Sequence, residues 1–194
     1  MKKSLFLSLL LLCISTLSIA QSNTTTSTWK GFRKNTFDFE GRQAWIVEPS
    51  NPKPFRPWVW RAHFPDWHTE MDSILLTKGY HIAYVNTNNM FGNAEAMQVW
   101  DRFYTYLTKE KQLSPKVTLE GVSRGGLYVY GWAKRNPAKV DCIYAEAPVC
   151  DPKSWPGGKG AGIGSEKDWN EWLKLTNSTE ATASEYKDIP LNDL

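Results

Sequence analysis

The chain has 194 residues, 22% of them charged, and a formal net charge of +3. That length suits one domain behind a short leader. So even a charge balance gives no electrostatic case for nucleic acid or an acidic membrane surface as partner.

Residues 1–20 have the build of a secretion signal. Lys2 and Lys3 form a basic start, Leu5 to Leu12 an apolar core, and Ser18-Ile19-Ala20 a small-residue cleavage site before Gln21. The apolar run is too short to span a bilayer. Cys13 follows Leu12, where a lipoprotein signal would carry a small residue, so plain cleavage near Ala20 and a secreted or periplasmic address are expected. Residues 21–28 are uniformly polar and predict a disordered leader, with a partial domain over 29–194. Trp29 to Phe39 predicts an irregular strand, Glu40-Gly41 a turn, and Arg42 to Glu48 a second strand. The proline-rich 49–54 stretch is a loop, because proline lacks the donor a ladder needs. Pro57 to Phe64 follows as a strand. Residues 69–78 predict a helix, with Thr69 as cap, Asp72 three residues on and Gly79 as the stop.

His81 to Val85 is a nearly continuous apolar run, as in a strand covered on both faces. Beyond a polar loop over 86–92, Ala94, Met97, Trp100, Phe103, Tyr104 and Leu107 keep helical spacing. The β-branched run from Lys116 then ends in Gly121-Val122-Ser123-Arg124-Gly125, and a helix over 127–134 follows at once. Asp141 to Val149 predicts a buried parallel strand. Cys142 and Cys150 flank it, roughly 25 Å apart at about 3.3 Å per residue, too far for a disulfide, and are expected as buried free thiols. The glycine-rich 157–164 run lacks the strand and the spacing of a phosphate cradle and is expected as a connector. Helices are predicted over 165–175 and 178–187. Strands alternate with helices from residue 57, which gives an α/β fold: a mostly parallel sheet with helices on both faces.

Chemistry concentrates at Ser123. A strand, a sharp turn and a helix around Gly-x-Ser-x-Gly make a nucleophile elbow, with glycine at 121 and 125 because bulk there would collide. The hydroxyl is lifted above the sheet edge beside the N–H of Arg124. All three histidines lie upstream: His63 at the carboxyl edge of its strand, His68 in the following loop, and His81 at the amino end of another strand, the wrong side for Ser123. Arg124 is expected to pair with Glu146 or Asp151. Most of the ten tryptophans are expected in the core, with a minority free to stack on a sugar. No Cys/His cluster has zinc-site spacing, and no metal or other cofactor is expected. Nothing in the sequence fixes an oligomeric state.

Trp60-Arg61-Ala62-His63-Phe64, Gly121 to Gly126, Ala147 to Asp151 and Ser154 to Gly158 together resemble the α/β-hydrolase superfamily. They are most similar to a group of secreted bacterial esterases and prolyl-oligopeptidase-like enzymes. The resemblance implies Ser123 as nucleophile, the N–H of Arg124 and one from the loop at Phe64 as oxyanion donors, and Asp151 as the acid. It implies hydrolysis of a carboxylic or carbohydrate ester through an acyl-enzyme. The superfamily places its histidine after the nucleophile, and none follows Ser123. The chain therefore reads as the front part of a hydrolase, incomplete at the C-terminus by two strands and inactive as it stands. Two other readings remain open: His63 or His68 substitutes as base, or the fold is kept without catalysis and an aromatic-lined cleft binds a ligand.

Overall fold

A computed structural model describes residues 24–191. The expected signal, Cys13 and the cleavage site at Ala20 lie outside the described residues. The strands are β1 (Thr25–Trp29), β2 (Phe32–Phe39), β3 (Arg42–Glu48), β4 (Trp58–Arg61), β5 (His81–Val85), β6 (Val117–Val122) and β7 (Val140–Glu146). The helices are α1 (Glu70–Thr77), α2 (Ala94–Lys109), α3 (Gly126–Arg135) and α4 (Glu166–Leu175). One mixed sheet runs β1-β2-β3-β5-β4-β6-β7. Its first three strands join antiparallel to each other and to β5, and β5, β4, β6 and β7 run parallel.

The central strands divide their side chains between two layers with a period of two. Trp58, Trp60, Ala83 and Val85 face α2 and α3, where Trp60 stacks on Trp100 at 4.1 Å and meets Trp132 edge-on at 5.3 Å. Val59, Ile82 and Tyr84 face the other way, toward Leu76 of α1. Both faces of β4 and β5 are thus dry, which is why His81 to Val85 is apolar without alternation. The helix-bearing faces and the parallel half of the sheet are as the α/β reading expects. No helix among the described residues is long and apolar enough to cross a membrane.

Four local expectations are corrected. Residues 25–28 are not a disordered leader: they form β1, a hairpin partner of β2 held by ladder bonds and not by burial. β7 is not buried: it pairs only with β6 among the described residues, so Cys142 is exposed and Cys150 half-buried, although both thiols are free. Residues 178–187 form no α-helix, only a 3-10 turn at Ala183–Glu185. Thr69 stands at the N-cap of α1 without a side-chain cap bond, and Asp72 is buried in an ion pair instead of answering it.

Candidate active site

β6 carries the chain to the carboxyl edge of the sheet, and at Ser123 it turns. Ser123 has φ +50°, a left-handed conformation that non-glycine residues rarely take, and Ser123–Gly125 forms a 3-10 turn leading straight into α3. The Ser123 carbonyl is tied down by the Val149 N–H at 2.8 Å. Among the described residues its hydroxyl has no hydrogen-bond partner, and the residue is partly exposed. This is a strained strand-to-helix corner of the kind that a nucleophile elbow requires.

The glycines divide differently from expectation. A Cβ on Gly121 would lie 2.6 Å from Val129 Cγ2 and 3.2 Å from the Gly125 carbonyl, so an added methyl must displace the Val129 side chain. On Gly125 the nearest atom would be Ala62 Cβ at 3.5 Å, an ordinary contact, so no collision enforces glycine at 125. Gly126 is the second tight position: its Cβ would meet the Val149 carbonyl oxygen at 2.5 Å.

The loop after β4 lies against this corner. β4 and β6 pair in register at Arg61 and Glu120, and Ala62 and His63 pack on Gly125. Phe64, at φ +50°, has its N–H without a backbone acceptor among the described residues. Arg124 sits in the opening helical turn, where N–H groups lack an intrahelical partner. The Phe64 and Arg124 amides thus lie on the two segments that meet at Gly125. The Arg124 guanidinium lies over Trp155 at 4.3 Å and near the Phe64 ring at 5.8 Å, with Asp168 at 3.7 Å. Its ion-pair partner is therefore Asp168 of α4, not Glu146 or Asp151, because the 150–165 segment folds back and brings α4 beside the elbow.

The histidines have three distinct settings. His63 is buried against Phe64 and Tyr128, and its Nδ1 has no partner. Burial first, then the charge of Arg124, lowers its pKa to about 4, so it is neutral at pH 7. His68, in the loop at φ +52°, places Nδ1 2.8 Å from Glu146 Oε1, and both side chains are about 40% exposed. β7 and the loop after β4 flank β6, so this contact spans the strand that ends at Ser123. His81 is buried at the amino end of β5 near Pro57 and Arg56, away from the elbow edge. Asp151 serves a local turn: Oδ1 accepts the Lys153 N–H at 2.8 Å and pairs with the Lys153 ammonium at 3.2 Å. Glu146 carries no motif, and only its register opposite Val122 marks it out. Among the described residues no group of three or more His, Cys, Asp or Glu side chains is placed to hold a metal. Trp45, Trp58, Trp60, Trp100, Trp132 and Trp172 are core residues, while Trp67 is half-exposed and Trp155 lies beside the elbow.

The sheet order, the elbow at the end of β6 and the flanking helices define an α/β-hydrolase fold. In architecture the chain is similar to Candida antarctica lipase A in its closed state (TM-score 0.55, 12% identity, 86% of this chain and 50% of the lipase covered). It is likewise similar to a mutant of the esterase E40 (TM-score 0.55, 12% identity, 81% and 60% covered). A third likeness is to Porphyromonas gingivalis dipeptidyl peptidase 4 (TM-score 0.52, 15% identity, 84% and 25% covered). The chain spans half the length of the lipase and a quarter of the peptidase. No protein-family model and no curated protein sequence matches it.

Proposed function

We propose that this chain carries the nucleophile and oxyanion half of a secreted serine hydrolase that cleaves a carboxylic or carbohydrate ester through an acyl-enzyme on Ser123. The observation that carries the reading is Ser123 itself, a non-glycine residue at φ +50° with an unengaged hydroxyl on a strand-to-helix corner. Such strain persists where the surroundings enforce it, and it clusters at functional sites. The half-exposed Trp67, with Phe64 and Trp155 around Arg124, offers apolar faces to the alcohol or sugar part of a substrate. The esterase and lipase among the structural likenesses agree with an ester substrate.

The base that would activate Ser123 has two sources. One is an imidazole supplied from outside these 194 residues, since all three histidines here precede Ser123. The other is His68, favoured over His63 by one observation: its Nδ1 faces a carboxylate, as an orienting acid requires, and Glu146 takes the role expected of Asp151. His63 at a pKa of about 4 is poorly matched to base catalysis near neutrality.

The test is acylation by p-nitrophenyl acetate. A single equivalent of nitrophenolate released by the chain and lost in Ser123→Ala is expected. Equal release from both proteins would sink the reading. Turnover after that first equivalent, abolished by His68→Ala, selects His68 as the base. A burst without turnover selects a base outside the chain.

A further inference from the structure

Arg61 ends β4 and is 1% exposed, as deep as any apolar core residue. Its guanidinium faces two ways. Nη1 donates to Asp72 Oδ2 of α1 at 2.5 Å and to Glu120 Oε1 of β6 at 2.6 Å. On the other side Nε donates to the Phe64 carbonyl at 2.8 Å, and Nη2 to the carbonyl of Trp67, with that of His68 at 3.3 Å. The loop that flanks Ser123 thus has its carbonyls gathered on one buried cation. Its other ties lie nearer the surface: the Trp67 N–H donates to the Phe64 carbonyl, the Trp29 indole N–H donates to Asp66 Oδ1 at 3.0 Å, and His68 meets Glu146, while Phe64 and His68 both sit at positive φ. In a trans peptide the N–H points opposite to the carbonyl. Fixing the Trp67 carbonyl on Arg61 therefore turns the His68 N–H away from it.

The charges in this cluster do not balance if every group is ionised. Two carboxylates, 0% and 1% exposed, face one guanidinium. Lys30, from the β1–β2 turn, adds only a weaker attraction on Asp72. The His68 and Glu146 pair at the far end of the loop is half-exposed and matched to itself. Moreover, Asp72 Oδ1 and Glu120 Oε2 are buried without any donor, which is costly for a carboxylate. Both carboxyl groups reach the same Arg61 Nη1, at 2.5 and 2.6 Å, which makes them immediate neighbours. A single proton held by the pair leaves one negative charge opposite one positive.

We propose that Asp72 and Glu120 share one proton, and that the singly charged pair so formed holds Arg61 as the positioning residue of the 64–68 loop. Burial and the neighbouring Asp72 carboxylate raise Glu120 to a pKa of about 8, in the direction this requires. Calling the 64–68 segment an oxyanion loop rests on the hydrolase reading; the shared proton does not.

Infrared difference spectra and amide hydrogen exchange on the full chain test both parts. At pH 7 the wild type shows a protonated-carboxyl band that Glu120→Gln and Asp72→Asn each remove. Each single variant keeps loop protection within about threefold, because one carboxylate still balances Arg61, whereas the double variant loses about tenfold or more. The pH profile is a second readout on the native fold: loop protection in the wild type falls as Glu120 ionises near pH 8, and stays level in Glu120→Gln. Absence of the band in the wild type, or single variants as damaging as the double, overturns the proposal. Acylation by p-nitrophenyl acetate is the separate arm. Rates that follow loop protection support the positioning role, and rates indifferent to it overturn that role. A wild type that is never acylated removes the hydrolase reading, and the infrared band then judges the proton pair alone.

Discussion

At position 126 a methyl group would press on backbone, and backbone cannot swing aside. That separates the three glycines that look alike in Gly-Val-Ser-Arg-Gly-Gly. Gly126→Ala meets the Val149 carbonyl at 2.5 Å, Gly121→Ala meets the movable Val129 side chain at 2.6 Å, and Gly125→Ala finds ordinary contacts. Overpacking of the first kind costs about 1–3 kcal/mol, and an unstrained Gly→Ala change stays within about 0.5 kcal/mol. Urea unfolding should therefore rank the losses 126, then 121, then 125; a larger loss at 125 than at 126 would contradict the packing. The buried titrating groups give a second residue-scale expectation. His63, lowered to about 4 from 6.5, binds its proton more weakly folded than unfolded, so stability rises with pH between those values. Glu120, raised to about 8 from 4.5, holds its proton more tightly folded, so stability falls with pH across that span. The His63 slope, joined by that of buried His81, opposes the Glu120 slope up to pH 6.5, and above it the Asp72–Glu120 pair dominates, at most about 1.4 kcal/mol per pH unit. Unfolding free energy should drop from pH 6.5 to 8 in the wild type and not in Glu120→Gln; a rise over that range would refute the assignment. Ser123 and the neighbouring amide of Arg124 were legible because a motif fixes them locally. Glu146, Asp72 and Glu120 were not, because their roles come from strand register and from a helix crossing, which join residues distant in sequence.

Among the elements, β5 and α2 were readable from pattern alone, since each has a single covered environment: both faces for β5, one stripe for α2. β1 was missed because Thr25 to Thr28 bury little and owe their strand to the ladder with β2. β7 misled in the opposite sense. Cys142, Ile143, Tyr144 and Ala145 look like a buried strand, yet with β6 as its single partner among the described residues, Cys142 and Tyr144 face solvent. The two thiols should differ accordingly. Cys142 is exposed, while burial raises the pKa of Cys150 and suppresses its thiolate. A limiting amount of an aromatic disulfide reagent is expected to modify Cys142 first, as read by peptide mapping, and preferential labelling of Cys150 would contradict the edge assignment. The exposed ladder of β7 is also the place where another strand could add.

For the whole molecule, the parallel ladder sets β4 and β6 side by side, and everything at the candidate site hangs from their carboxyl ends. The fold class was legible because alternation of strands and helices is a property of the chain's pattern. The site was half legible: the corner at Ser123 and the loop beside it follow from local sequence, whereas which imidazole meets a carboxylate near it depends on tertiary structure. The central claim is that Ser123 is a presented nucleophile. Intact-mass analysis after reaction with a fluorophosphonate, followed by peptide mapping, tests it most directly. One adduct on Ser123, lost on prior unfolding and in Ser123→Ala, is the expected result. An unmodified native chain, or modification spread over other hydroxyls, would contradict it.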